Sequence, residues 1–243
     1  MKRVLLYIIS LIYYFFFLVV LSIFQPIQWI CFKIFGYKGL KNTFDFVTLL
    51  SLQCCHILGV RYTFENKELI PKNVPIIFVS NHQSLYDTVG LNWYLRRFHC
   101  AFVTKKELGK GIPSVSYYIR NSKCVQIDRK NPKQAIPQIK ALAEYIESNK
   151  RSAIIFPEGT RSKTGEPKEF AQSGLKILCK YAPSAYVVPI SINNSWKIVQ
   201  YGSLPLSLGH HLLFTVHNPL TVSDYSFDEI IQKTESAIVR GIK

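Results

Sequence analysis

The chain has 243 residues, enough for one domain with an ordinary core and an appendage. Hydrophobic residues make up 48% of it, which is high for a fully soluble protein, and the formal net charge is +15. Such a field favours anionic partners, namely nucleic acid, phospholipid head groups or phosphorylated substrates. The six cysteines show no Cys-x-x-Cys spacing, so we expect reduced thiols and no metal site.

The N-terminal segment 4–24 carries no charge. As a helix it would extend about 31 Å, close to the ~30 Å of bilayer hydrocarbon. A cleaved signal peptide is disfavoured because the run is too long and no A-x-A-like site follows it. A buried core helix is disfavoured because the segment lacks a polar face. We therefore predict a membrane anchor, with Pro26 ending or kinking the helix.

A second apolar stretch, residues 44–60, includes Asp45, Gln53 and His56 and is too polar for a confident span. We expect it to lie in the interface or to pack on the domain. Residues 1–60 are thus predicted to be a membrane anchor with interfacial helices, and residues 61–243 the folded domain. Basic residues flank the first run on both sides, which allows a hairpin with both ends cytoplasmic. A phospholipid membrane is then the expected partner and nucleic acid is not.

Short apolar runs alternate with helical patterns from about residue 70 onward. Predicted strands are 76–80, 100–104, 123–127, 153–156, 186–192 and 212–217. Predicted helices are 85–97, 113–121, 133–149, 171–181 and 227–239, the last starting with a capping box of Ser226 and Glu229. The alternation predicts an α/β fold with a mostly parallel central sheet flanked by helices, preceded by N-terminal membrane-associated helices.

Polar clusters follow three of these predicted strands. They are "NHQSLYD" at 81–87, Asp128-Arg129, and "PEGTRS" at 157–162. Ligands of such sheets collect at the carboxyl ends of the strands. The convergence of the clusters predicts a functional site there.

His82 and Asp87 are candidates for an acid–base pair. Residues five apart lie about 140° apart on a regular helix, so they share no helix face. They can meet if His82 precedes the helix and Asp87 lies in its first turns, leaving one imidazole nitrogen to take a proton. The alternative is a loop histidine and an aspartate near the positive helix end. Ser84 is not favoured as a nucleophile because no G-x-S-x-G elbow occurs.

The cluster "PEGTRS" suits an anion. Gly159 lets backbone amides approach a phosphate, and Arg161 offers a planar fork for its oxygens. The alternative is a tight surface turn with a solvated arginine.

The sequence resembles the glycerolipid acyltransferase family at these residues, and within it the 1-acyl-sn-glycerol-3-phosphate acyltransferases. Four blocks match in order: "NHQSLYD" at 81–87, "VQIDR" at 125–129, "FPEGTRS" at 156–162 and "VVPI" at 187–190. "KKEL" at 105–108 is also similar. The match covers roughly residues 70–192 and departs from the pattern at Gln126 and at Asn121-Ser122.

The resemblance implies acyl transfer without a cofactor or metal. His82, assisted by Asp87, would deprotonate the 2-hydroxyl of lysophosphatidate, which then attacks the thioester of acyl-CoA or acyl carrier protein to give phosphatidate. The implied acceptor-binding residues are Glu158, Gly159, Thr160, Arg161 and Arg129. The donor thioesters are cytoplasmic, so we expect a membrane protein whose active site faces the cytoplasm.

Two alternatives stay open. The first keeps this chemistry but changes the acceptor to another lysolipid or a lyso-aminolipid. The second is a non-enzymatic, basic lipid- or nucleic-acid-binding membrane protein. The His82/Asp87 pair argues against the second alternative, since a binding protein does not need it.

Overall fold

The computed structural model describes residues 2–128 and 131–243. The strands in this part of the chain are β1 (Arg61–Glu65), β2 (Ile76–Ser80), β3 (Cys100–Lys105), β4 (Val125–Ile127), β5 (Ser152–Ile155), β6 (Tyr186–Asn193), β7 (His211–Val216) and β8 (Leu220–Thr221). The α-helices are α1 (Lys2–Cys55), α2 (Leu85–Tyr94), α3 (Val115–Asn121), α4 (Pro132–Asn149), α5 (Gln172–Tyr181) and α6 (Phe227–Arg240). Short 3₁₀ helices join several of these elements.

The strands form one sheet in the order β1-β7-β6-β2-β5-β3-β4, with β8 also paired to β6. The pairs of β6 with β7 and of β6 with β8 are antiparallel, and the other pairs are parallel. In the register of the centre, Ile76 of β2 lies between Ser152 of β5 and Tyr186 of β6. The predicted α/β fold with a mostly parallel sheet is confirmed.

Strand β2 is buried on both faces of the sheet. Ile76 and Phe78 point into a core shared with α1 and α2, whereas Ile77 and Val79 point into a second core built by α4, α5 and α6. A strand covered on both sides has no solvent face, which explains the uninterrupted apolar run in its sequence. The sheet is thus the middle of three layers, and its central strands are the ones that lead into the predicted site.

Helix α1 does not end at Pro26, so that part of the prediction is wrong. The helix continues past the proline, and its non-helical backbone lies at Gly36, where φ is 58° and ψ is −144°. A proline removes one backbone donor from the helix, whereas a positive φ combined with a ψ near −144° strongly favours a residue without a Cβ. Gly36 therefore separates the two helical halves, residues 2–35 and 37–55.

Both halves of α1 pack on the domain. In the first half, Tyr13 and Leu21 are buried, and the Ser10 hydroxyl accepts a hydrogen bond from the amide of Leu206 at 2.8 Å. In the second half, Phe44 stacks on Tyr118 of α3 with ring centroids 3.7 Å apart. The apolar stretch 44–60 thus packs on the domain, which was one of its two predicted positions.

The other side of α1 is exposed and apolar. Its exposed large side chains include Val4, Leu5, Ile8, Leu11, Ile12, Phe15, Phe16, Leu18, Ile23, Trp29, Ile30, Ile34 and Phe35. Among the described residues, only this helix is long and apolar enough to cross a membrane, by length and composition. The predicted division near residue 60 stays a prediction.

The predicted strands and helices are all present. More than half of their predicted ends differ from the observed ends, by one to three residues. The largest shift is in α2, which ends at Tyr94 and is followed by a 3₁₀ helix, Arg96–Phe98. Strands β1 and β8 were not predicted. Strand β1 reads RYTFE with one buried side chain, and β8 has two residues, so neither carries a hydrophobic pattern. The Ser226/Glu229 capping box is confirmed.

Candidate active site

The candidate site lies at the carboxyl ends of β2, β5 and β6. These strands are adjacent and parallel, so the segments that follow them emerge at the same edge of the sheet. The side chain of Asn81 binds the neighbouring strand β6. Its nitrogen donates to the backbone carbonyl of Ile192 at 2.9 Å, and its oxygen accepts from the backbone amide of Ile192 at 2.7 Å. This pair of bonds fixes the start of the "NHQSLYD" segment against β6.

His82 and Asp87 meet as a hydrogen-bonded pair. His82 lies on the turn after β2, Asp87 lies in the first turn of α2, and His82 Nδ1 is 2.8 Å from Asp87 Oδ2. A carboxylate at Nδ1 stabilises the tautomer with its proton there, which leaves Nε2 to accept a proton. The geometry that the five-residue spacing requires is the geometry found.

Asp87 is also the reciprocal partner of a helix N-cap. Ser84 caps α2, and Asp87 at the third helical position accepts from the backbone amide of Ser84 at 2.8 Å. The amide of Gln83 donates to the same carboxylate oxygen at 2.6 Å. The two interpretations of Asp87, helix-start residue and histidine partner, are therefore both correct. The capping box aims the carboxylate back at the turn that carries His82.

The imidazole of His82 is held on its other sides too. Its ring stacks on Phe156, with centroids 4.1 Å apart and an interplanar angle of 17°. The backbone carbonyl of His82 accepts a hydrogen bond from the backbone amide of Ser162 at 2.7 Å. These contacts connect the turn after β2 to the loop after β5, so the position of the base depends on both segments.

Glu158 braces the same turn. One carboxylate oxygen accepts from the amide of His82 at 2.9 Å, and the other accepts from the amide of Lys168 at 3.2 Å. The side chain is buried, and this burial raises the pKa of Glu158 to about 7 although both hydrogen bonds act to lower it. The carboxyl group thus faces the backbone that carries the base.

A cavity of about 500 Å³ opens beside His82. One part of its lining is cationic and contains Lys105, Arg161 and Lys163. Another part is apolar, and its side chains come from α1, β3, the loop before α3, and α3: Phe17, Phe44, Phe102, Ile112, Val115, Tyr118 and Ile119. The cavity therefore combines cationic and apolar lining residues beside one imidazole.

The predicted acceptor-binding residues fall into three groups. Gly159, Thr160 and Arg161 line the cavity with His82, and Gly159 has a φ of +67°, which favours glycine. Glu158 is not among the lining residues. Arg129 lies outside the described residues.

Lys105, Gln83 and Ser195 were not predicted as site residues. Lys105 ends β3, so the strand-end rule that selected the other clusters could have found it. Gln83 and Ser195 carry no local signal. Gln126, where the sequence departs from the family pattern, packs directly on Gly109. Among the described residues no group of three or more His, Cys, Asp or Glu side chains could hold a metal ion.

A protein-family model covers the segment that carries His82, Asp87 and the loop after β5. The family model described as Acyltransferase matches residues 61–193, more than half of the chain. The chain belongs to the Acyltransferase family. The resemblance inferred from the four blocks is thereby confirmed.

Curated relatives carry a specific name. A 1-acyl-sn-glycerol-3-phosphate acyltransferase of Helicobacter pylori is 35% identical over 130 residues, covering 51% of this chain and 54% of the relative. A 1-acyl-sn-glycerol-3-phosphate acyltransferase of Saccharomyces cerevisiae is 30% identical over 150 residues, covering 60% of this chain and 48% of that relative. The chain thus spans about half the length of these curated relatives.

A solved structure extends the comparison to the whole chain. The crystal structure of the 1-acyl-sn-glycerophosphate acyltransferase PlsC from Thermotoga maritima matches with a TM-score of 0.83 and 25% identity. The match covers 99% of this chain and 96% of that one, so it includes the N-terminal helix as well as the sheet.

The first prediction concerns Glu158 and pH. Its folded-state pKa of about 7 lies above the ordinary value of 4.5, so folding favours the protonated carboxyl. The stabilisation relative to the ionised form is complete below about pH 4.5 and is lost as pH rises through 7. Replacing Glu158 by Gln removes this titration. It also lowers the free energy of unfolding by an amount that does not depend on pH, because one backbone amide loses its acceptor.

We expect the melting temperature of the unmodified protein to fall relative to that of Glu158→Gln as pH rises from 5 to 7. Above about pH 8 the difference between the two melting temperatures should stay constant. Thermal unfolding in detergent over this range measures the effect. Glu166→Gln, at an exposed position, is the control and should run parallel to the unmodified protein throughout. Parallel curves for Glu158→Gln would contradict the argument.

Proposed function

We propose that this protein is a membrane-bound acyltransferase that moves a fatty acyl group from acyl-CoA or acyl carrier protein to the 2-hydroxyl of 1-acylglycerol-3-phosphate, giving phosphatidate. The observation that carries the proposal is the His82–Asp87 pair, whose His82 lines a cavity with both cationic and apolar side chains. The names of the curated relatives and of the solved structure support the same reaction.

The chemistry follows from the geometry of the pair. His82 Nε2 takes the proton of the acceptor hydroxyl as its oxygen attacks the thioester carbonyl, and Asp87 stabilises the imidazolium that forms. The tetrahedral intermediate then collapses with cleavage of the carbon–sulfur bond. The departing thiolate takes the proton back from the imidazolium, so the base is restored and no covalent enzyme intermediate is needed.

The cavity lining accounts for the choice of acceptor. Lys105, Arg161 and Lys163 offer charge-assisted hydrogen bonds that are stronger to an anionic phosphate than to a neutral acceptor. The apolar lining from α1 and α3 can take an acyl chain by burial. Both features favour a lysolipid with a phosphate close to its free hydroxyl.

Phosphatidate formation by the purified protein, given lysophosphatidate and acyl-CoA, tests the proposal. A lyso-aminolipid and a monoacylglycerol without phosphate serve as competing acceptors. We expect transfer to lysophosphatidate to dominate. Preferred transfer to either of the other two would replace the proposed acceptor, and transfer to none would refute the activity.

The second prediction concerns the base. Replacing His82 by Ala should lower kcat by about 10²–10⁴-fold, because the described cavity lining contains no other His, Asp or Glu side chain that could take the proton. Initial rates of phosphatidate formation measure the effect. His56→Ala, at an exposed position of the first 3₁₀ helix, is the control and should keep normal rates. Turnover near normal in His82→Ala would remove His82 from the mechanism.

The third prediction concerns the phosphate. Lysine at position 161 keeps the charge but loses the planar fork of arginine. We expect Arg161→Lys to raise the KM for lysophosphatidate about tenfold, the value of one charged hydrogen bond, with the donor KM little changed. Arg97→Lys, at an exposed position outside the cavity lining, should change neither constant. A rise in the donor KM alone would place Arg161 at the acyl donor instead.

The membrane position of the site follows from the substrates. We propose that α1 holds the domain at the cytoplasmic surface, with the exposed apolar side of its first half in the membrane and both of its ends cytoplasmic. The exposed apolar side of α1 and the packing of both halves on one domain support this arrangement. The cytoplasmic thioester donors require the same side for the cavity.

The fourth prediction tests that orientation. Glu68→Cys introduces a thiol at an exposed position of the domain, whereas the native cysteines are buried or half-buried. A membrane-impermeant thiol reagent should modify this variant only after the cells are permeabilised. The unmodified chain is the control for background labelling. Modification from outside intact cells would contradict the cytoplasmic site.

A further inference from the structure

Ser195 is a fully buried polar residue at the end of β6, outside the segment matched by the family model. It begins the 3₁₀ helix Ser195–Val199, directly after Asn194, whose left-handed backbone has a φ of 69°. The Asn194 side chain donates to the carbonyl of His211 at 3.0 Å, which ties this turn to β7. The hydroxyl of Ser195 is thus placed by the strand end and by the turn.

The hydroxyl of Ser195 donates to Oδ1 of Asp87. The other carboxylate oxygen, Oδ2, already receives the His82 ring and the amides of Gln83 and Ser84. Within the described part of the chain, Ser195 is the only donor found for Oδ1. A carboxylate with no exposed surface depends on such donors, since an unpaired charged oxygen carries its full desolvation cost.

Gln83 holds Ser195 in this position. The side-chain oxygen of Gln83 accepts a hydrogen bond from the backbone amide of Ser195 at 3.1 Å. Its side-chain nitrogen donates to the backbone carbonyl of Gly165 at 3.2 Å. The Ser195 hydroxyl lies 3.4 Å from the same oxygen, farther than from Asp87, so its single hydrogen serves the carboxylate. Gln83 therefore connects the turn of the base, the loop after β5 and the turn after β6.

We propose that Ser195, held by Gln83, is a positioning residue for acyl transfer that fixes the orientation of the Asp87 carboxylate toward His82. The inference rests on the proposed function. With Oδ1 unbound, the carboxylate can rotate about its last side-chain bond and lose the geometry that orients the imidazole. Ser195 is not among the residues that line the cavity. We therefore expect it to affect the rate of the chemical step through Asp87 and not to affect substrate binding.

Kinetics of Ser195→Ala test the inference. We expect kcat to fall about tenfold, the value of one hydrogen bond to a charged group, with the KM of both substrates changed less than twofold. Ser195→Thr keeps the hydroxyl and should restore most of kcat. Ser191→Ala is the matched control: Ser191 is equally buried and lies on β6, just before the turn of Ser195, and its hydroxyl contacts His217 instead of the site. The control should keep normal kcat.

A double-variant cycle separates positioning from a general structural role. In the Asp87→Asn background the charge that Ser195 orients is gone, so adding Ser195→Ala should cost less than twofold more. A full tenfold loss in that background would overturn the inference, as would an unchanged kcat in the single variant. If Ser195→Ala does not fold, Ser195→Cys keeps the volume with a weak donor, and the same expectations apply.

Failure of the inference and failure of the proposed function give different results. If the unmodified protein transfers acyl groups and Ser195→Ala does so equally well, only the positioning role is overturned. If the unmodified protein transfers none, the proposed function fails, and the positioning role fails with it.

Discussion

The buried carboxylate of Asp87 is the constraint on which the rest of the site depends. It has no exposed surface, so protein donors must replace all the water that would otherwise solvate it. Two backbone amides, the His82 ring and the Ser195 hydroxyl do so. Each donor comes with a requirement on the backbone: a turn after β2, an N-cap on α2 and a second turn after β6. The charge that assists the base also organises the three segments around it.

Those segments can meet because β2 is central. It pairs in parallel with both β5 and β6, so the turn that carries His82 lies between the loop with Glu158 and the turn with Ser195. Asn81 joins one side through Ile192, and Glu158 joins the other through the amide of His82. The base is thus held mainly by backbone contacts, which position it without consuming its free ring nitrogen.

Helix α1 has two functions in this arrangement. One side completes the domain, since Tyr13 packs in the main core and both Phe17 and Phe44 line the cavity. The opposite side is exposed and apolar, as expected of a surface in contact with lipid. In the proposed function, a helix that touches both the cavity and the membrane brings His82 near the surface where the lipid acceptor lies. The break at Gly36 lets both halves reach the domain.

The sequence alone determined the order of strands β2 to β7 and of the helices between them, the family, and His82 and Asp87 as a candidate pair. These follow from local signals: apolar runs, polar clusters at strand ends, and the four motif blocks of the family. Only the tertiary structure decided the contacts of Ser195 and Gln83, the break at Gly36 rather than Pro26, and the bracing position of Glu158. Ser195 and Asp87 are 108 positions apart, and Glu158 and His82 are 76 apart. No periodicity or motif spacing records such contacts, because they exist only once parallel strands bring distant turns to the same edge of the sheet.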